Sequence, residues 1–172
     1  MAIFGLVDKL GLTIDEVDAL TGPLIGRPKS ATFRTADVVG IDTLVKVAQG
    51  VYQSCPQDEA RDAFQIPAWL NKMVENKWLG DKTGQGFFKK TKGGSGEKEI
   101  LTLDLKTLEY KERQKPRFAT VDAAKPIDDL GQRLKALTAG QDKAGEFYRH
   151  FHYGLFSYIS NRIPEISDEL YR

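Results

Sequence analysis

The chain has one cysteine, Cys55, in 172 residues. That excludes an internal disulfide and fits a reducing, cytoplasmic setting. Histidine is almost as scarce, with only His150 and His152. Two apart in a helical pattern, they point to nearly opposite faces and cannot chelate one metal, which needs i, i+4 spacing. No apolar run approaches about 18 residues, so no transmembrane helix is expected. Charge of one sign is missing too: 25 Lys+Arg stand against 24 Asp+Glu, a net of +1. Such a chain has no large field to hold nucleic acid or a membrane surface. The apolar start MAIFGLVDKLGL lacks a preceding basic region and a clear small-residue cleavage site, so it reads as a helix and not as a leader. Hydrophobic residues make up 41%, as in an ordinary globular protein. The length suits one domain, or one and a part.

Helical signals fill the first half. In LTIDEVDALTG, Thr13 and Glu16 have capping-box spacing, Ile14, Val17 and Leu20 share a face, and Gly22 stands where a helix would stop. ATFRTADVVGIDTLVKVAQGVYQSC carries two helical patterns around Gly40. Asp42 is placed to cap the second, whose stripe is Leu44, Val45, Val47, Ala48, Val51 and Tyr52. In QIPAWLNKMVENKW, Pro67 suits a first helical turn, and Leu70, Met73 and Val74 recur at i, i+3, i+4. Everything to about Trp78 reads as helix with short loops.

The texture then changes. Gly80, Gly84 and Gly86 announce turns, Phe87 and Phe88 start a strand, and TKGGSGEKE is a surface loop. EILTLDLKTLEYKER alternates, with Ile100, Thr102, Asp104 and Lys106 on one side and Leu101, Leu103 and Leu105 on the other. It reads as a hairpin that forms a three-stranded meander with the Phe87 strand. RQKPRFATVDAAKP reads as a linker. Helices return with Leu130, Leu134 and Leu137 in register, and then with a segment capped by Asp142 whose face is Phe147, Phe151, Leu155 and Tyr158. Pro164 would kink or restart it. The first helix has no cap, and the chain stops at Arg172 without one. Both ends read as cuts in something longer.

Several tempting sites reduce to structure. TGPLIGRPKSATF has glycines, a lysine and a serine, but Arg27 and Pro28 separate Gly26 from Lys29, and Pro28 removes an N–H that a phosphate cradle would use. The preceding residues read as helix, where a P-loop needs a strand, so a helix–helix connection is the better reading. GDKTGQG lacks the strand before it and the helix after it that a dinucleotide fingerprint requires. Glu146 and His150 have i, i+4 spacing, which is commoner in a surface pair than in an acid–base dyad. Cys55 reads as a small buried hydrophobe and not as a nucleophile. The basic KKTKGGSGEK could meet a phosphate, but a solvated loop is the better reading. The aromatics of FYRHFHYGLFSY read as core, or as a surface that needs a partner, before a platform for bases. The residues alone thus give a mainly α protein with a small antiparallel β-meander and no catalytic constellation.

Taken together and in this order, LTIDEVDALTGPLIGRPKSATFRTADVVGIDTL and, about forty residues later, WLGDKTGQGFFKK resemble the C-terminal helical domain of the 3-hydroxyacyl-CoA dehydrogenases, in particular the fused bacterial forms of fatty-acid β-oxidation. The resemblance covers about residues 1–90. It implies a helical domain like the C-terminal domain of 6-phosphogluconate dehydrogenase at 1–92, a β-hairpin connector at 93–118, and the helical opening of a second copy at 119–172.

In that family a Rossmann domain binds NAD and carries a His/Glu dyad and a serine, and an asparagine in the first long helix assists. The resemblance therefore implies an oxidoreductase acting on (S)-3-hydroxyacyl-CoA. Its NAD would be bound by a domain this chain does not contain, and the chain by itself would be inactive, with no catalytic, cofactor or metal residue of its own. Neither Asn161 nor the Glu146/His150 pair matches the family's positions. The family's loop beside the acyl cleft reads roughly Gly-x-Pro-Met-Gly-Pro-Phe. Here Gly26 and Arg27 precede Pro28, Lys29, Ser30, Ala31 and Thr32, so the Met-Gly-Pro part is replaced and one residue is added. These five residues either shape the wall of the acyl-CoA cleft or only fix the helix crossing. The partners implied are acyl-CoA, the NAD-binding domain and a second copy by self-association. The alternative is a non-enzymatic helical interaction module.

Overall fold

The computed structural model describes residues 1–92 and 98–166, apart from the side chains of Lys98 and Pro164. It divides into two units, Ile3–Pro116 with Met1, and a second from Arg117 onward. The fold is mainly helical with a small antiparallel sheet.

In the first unit, α1 (Ala2–Leu10) buries Ile3, Phe4 and Val7 and stops at Gly11, whose φ of 57° is open to glycine at little cost. α2 (Ile14–Leu20) starts at the expected capping box: Thr13 N donates to Glu16 Oε2 at 2.8 Å, and Glu16 N donates to Thr13 Oγ1 at 3.2 Å. Ile14, Val17 and Leu20 are fully buried, as their spacing requires. After a 3₁₀ turn at Pro23–Ile25 come α3 (Phe33–Val39) and α4 (Ile41–Ser54), on either side of Gly40 with φ 99°. α5 (Ala68–Glu75) buries Trp69, Leu70 and Met73. A 3₁₀ turn at Asp81–Thr83 then leads to β1 (Phe88–Lys92), β2 (Lys98–Leu103) and β3 (Tyr110–Glu112). They form the expected meander, order β1-β2-β3, with Phe88 opposite Thr102 and Leu103 opposite Tyr110. At the centre, Phe33 lies 4.6 Å from Phe87 and 5.3 Å from Phe4 between ring centroids, and Trp69 lies 6.0 Å from Phe87. Such aromatic pairs add about 1 kcal/mol each beyond the area they bury.

Some expectations change. α4 begins at Ile41, which is fully buried and whose N–H donates to Leu79 O, so Asp42 falls inside the first turn and pairs with Lys82 instead of capping. Val47 is 59% exposed, which narrows the apolar stripe of α4. Pro67 is the residue before α5, not its first turn. The stretch from Cys55 to Pro67 is a long connection with a 3₁₀ turn at Arg61–Phe64, not a short loop, and Cys55 is exposed on it. Thr102, on the side of β2 opposite the leucines, is buried because α2 packs there.

In the second unit, the segment read as a linker contains α6 (Ala119–Ala124), which buries Thr120, Val121 and Ala124. α6 packs with α7 (Leu130–Ala139) and α8 (Lys143–Ile166). Leu137 is fully buried, whereas Leu130 is 40% exposed. Asp142 caps α8 as expected: one oxygen accepts from Gly145 N at 3.0 Å, and the other accepts from Thr120 N at 3.0 Å, tying the cap to the start of α6. α8 runs on through position 164, so the helix does not restart there. Phe147 and Tyr148 are fully buried, while Leu155 joins the exposed half of the helix. Among the described residues, no helix is long and apolar enough to cross a membrane.

Candidate functional site

Two buried aspartates organise the first unit. Asp37, 1% exposed on α3, accepts from Phe87 N at 2.8 Å with one oxygen and from Phe88 N at 2.9 Å with the other. Gly80 and Gly86 press against it so closely that a Cβ on either would collide with Asp37. The DVVG and GDKTGQGFF stretches are therefore the two halves of one lock. Tyr110 closes it by donating its hydroxyl to Gly86 O at 2.5 Å. Burial pushes the Asp37 carboxyl up to about 6, against the opposing pull of its two backbone donors.

Asp18, on α2, reaches the start of α3. Its Oδ1 accepts from Thr32 N at 3.1 Å and Phe33 N at 2.7 Å, and its Oδ2 accepts from Arg34 N at 3.2 Å. These are N–H groups that a helix start leaves without intrahelical partners, and a distant carboxylate does the work of a cap. Burial pushes this carboxyl, too, up to about 6.

A cavity of about 630 Å³ lies in this unit, between α2, the start of α3, β1 and the residues after β3. Two carboxylates inside it are already committed. Asp18 holds α3, while Asp15, 6% exposed, accepts from Thr102 Oγ1 at 3.1 Å and Gln114 N at 2.7 Å. Two cations are paired: Arg34 makes a bidentate bridge to Asp81 at 2.6 Å, and Arg113 Nε lies 3.4 Å from Asp15. Lys29, Lys90 and Lys115 also line the cavity, and none of them makes an ion pair or hydrogen bond among the described residues.

The five residues expected at the cleft wall divide. Lys29 lines the cavity. Pro28 is exposed, and its carbonyl accepts from Ala31 N at 2.9 Å. Ser30 and Thr35 hydroxyls lie 2.8 Å apart. Ala31 turns the chain at φ 53°. Thr32 points into the frame, with Oγ1 donating to Thr21 Oγ1 at 2.8 Å. Elsewhere, Glu146 and His150 form a 3.9 Å surface pair. No cluster of three His, Cys, Asp or Glu suited to a metal occurs among the described residues. Of the basic segment read as a loop, Lys89–Lys92 belong to β1 and Lys98 starts β2, while residues 93–97 lie outside the described residues. Asp15, Asp18 and Asp37 were not singled out from the sequence. Their partners lie 14 to 99 residues away, beyond any local spacing rule.

A family model described as "3-hydroxyacyl-CoA dehydrogenase, C-terminal domain" matches residues 1–90. A Bacillus subtilis (strain 168) protein named "Probable 3-hydroxyacyl-CoA dehydrogenase" is 43% identical over 163 residues, which is 95% of this chain and 20% of that protein. A protein of the same name from Deinococcus radiodurans is 39% identical over 126 residues, 70% of this chain and 30% of that protein. A Rickettsia felis protein named for a fatty acid oxidation complex trifunctional enzyme is 22% identical over 86% of this chain and 19% of its own length. The chain thus spans 19 to 30% of the length of these relatives. No solved structure matches it.

Proposed function

The chain belongs to the family of the 3-hydroxyacyl-CoA dehydrogenase C-terminal domain, and from that premise we propose that it is the substrate-cleft and domain-pairing part of an NAD-dependent enzyme. That enzyme would oxidise (S)-3-hydroxyacyl-CoA to 3-ketoacyl-CoA in fatty-acid β-oxidation, in the cytoplasm. Residues 1–92 would form the helical domain, 93–118 the connector, and 119–172 the opening of a second copy.

NAD does not fit the residues present. The described strands form an antiparallel meander, Gly80 of GDKTGQG packs on the Asp37 backbone, and Gly86 faces the Asp37 carboxylate, which would repel a pyrophosphate. The dinucleotide would be held by a separate domain, and no chemical step is assigned to this chain.

The observation that carries the cleft reading is the loop of residues 28–32. Asp18 and Thr21 fix it at the Thr32 end, while Lys29 is turned onto the cavity. A wall that positions substrate must be preorganised, and this loop is.

The purified chain is expected not to oxidise NADH with acetoacetyl-CoA. Joined to an NAD-binding domain of the family, it is expected to do so. Replacing residues 28–32 with a Gly/Ser segment of equal length should then raise KM about tenfold, which corresponds to roughly 1.4 kcal/mol. An unchanged KM in a folded variant leaves the loop as a fixer of the helix crossing only.

A second reading, a helical interaction module, draws on the later turns of α8, where Tyr153 is 62% and Phe156 54% exposed. An exposed apolar stripe of this kind marks a pairing surface.

A further inference from the structure

The chain that follows β3 runs as a strap along the first unit. Arg113, Gln114, Lys115 and Pro116 succeed one another on one side of the cavity, and the second unit starts at Arg117. With Ile100, these four are the part of the lining that lies beyond residues 1–90, where the family model matches. One wall of the cavity is therefore added to the matched domain by the chain after it.

The hold on this strap is concentrated at one side chain. Asp15 Oδ2 accepts from Gln114 N at 2.7 Å, and Asp15 Oδ1 lies 3.4 Å from Arg113 Nε. The Arg113 guanidinium also sits 5.3 Å from the centre of the Phe88 ring. Gln114 Nε2 reaches back only to Glu112 O, at 3.4 Å. Among the described residues, Lys115 and Pro116 make no hydrogen bond. Arg113, Gln114 and Lys115 are exposed, so little apolar area is at stake when the strap lifts.

What flanks the strap is held without it. Tyr110 donates its hydroxyl to Gly86 O, and its ring lies 5.7 Å from that of Trp78, which fixes β3 just upstream. Asp15 keeps the Thr102 hydroxyl and its place in the first turn of α2, where the helix dipole favours a carboxylate. Lifting the strap costs one backbone hydrogen bond, one ion pair and one cation–π contact, each of modest strength. Unfolding the unit costs its whole aromatic core.

We propose that residues 113–116 are a flap latched by Asp15, which hinges at the end of β3 and opens one side of the cavity while the rest of the first unit stays folded. Segments with few buried contacts open locally, at free energies below that of global unfolding. The flap controls access to the cavity whatever the cavity holds, so the inference does not rest on the function proposed above.

The test is native-state amide exchange of the whole chain, followed by NMR in sub-denaturing urea. The Gln114 N–H reports on the flap. The Phe87 and Phe88 N–H groups, held by Asp37, report on opening of the unit itself. Relative to intrinsic rates, the Gln114 amide is expected to exchange about a hundredfold or more faster than those two. Its rate should depend little on urea, because a local opening exposes little surface. Arg113→Gln removes the ion pair and the ring contact from an exposed position. It should speed Gln114 exchange about fivefold and leave Phe87 and Phe88 unchanged. Asp15→Asn weakens the latch itself and should speed Gln114 exchange about tenfold or more, again without the other two. Gln114 exchange that matches Phe87 and Phe88 in rate and urea dependence would overturn the flap, and so would an Arg113→Gln variant that speeds all three alike. If Asp15→Asn speeds all three alike, Asp15 is a support of the core and the latch falls. If that variant does not fold, the wild type and Arg113→Gln decide the matter by themselves.

Discussion

Asp37 shows how much one buried carboxylate can organise. It sits against two glycines and accepts the N–H groups of Phe87 and Phe88 at the start of β1. Asn in its place keeps one acceptor and turns an amide donor toward another donor. Asp37→Asn cannot ionise, so comparing its urea unfolding with that of the wild type isolates the titration of the Asp37 carboxyl. The pH dependence has a definite sign. Burial raises the folded carboxyl from 3.8 to about 6, so between these values the native state holds more protons than the unfolded chain. Its contribution to stability is complete below pH 3.8 and is lost as pH rises through about 6, by at most about 3 kcal/mol. The stability advantage of wild type over Asp37→Asn should shrink across that window. An advantage that grows with pH would show that the backbone donors outweigh burial. The sequence shows the glycines as turn formers. It cannot show that two of them exist to let an aspartate 43 and 49 residues earlier come close, because that is a contact between distant segments.

At the scale of elements, two helix starts are stabilised in different ways. α2 uses Thr13 and Glu16, three residues apart, and this was legible because the donors and acceptors belong to one turn. α3 uses Asp18, 14 to 16 residues upstream on another helix. Thr13→Ala should cost about 1 kcal/mol, the usual loss for an N-cap. Asp18→Ala leaves three part-buried N–H groups unmet and should cost about 2 to 3 kcal/mol. Equal losses in chemical denaturation would mean that water replaces Asp18 at no cost. α6 illustrates the same limit. ATVDAA, under two turns long, is too short to show a helical period, and it forms because it packs against α7 and α8, burying Val121 and Ala124.

At the scale of the whole molecule, each unit has its own core, and the second leaves apolar surface on α8. Tyr153, Phe156 and Ile159 follow one another at i, i+3 and are 62%, 54% and 38% exposed. Sedimentation velocity should show concentration-dependent self-association, and Phe156→Lys should abolish it with little loss of helicity. A wild type that stays monomeric at all concentrations would rule out this face as a self-pairing surface. By itself the sequence determined the helix-rich order of elements, the antiparallel meander, the buried face of α2 and most of that of α5, and the family resemblance. All of these rest on periodicity, caps and motifs read within a few turns of chain. Only the tertiary structure decided that Asp15, Asp18 and Asp37 are buried joints, that Val47 and Cys55 face outward, and that three lysines from distant segments share one cavity. Those facts depend on which surfaces meet, and burial and long-range hydrogen bonds fix that only once the chain has folded.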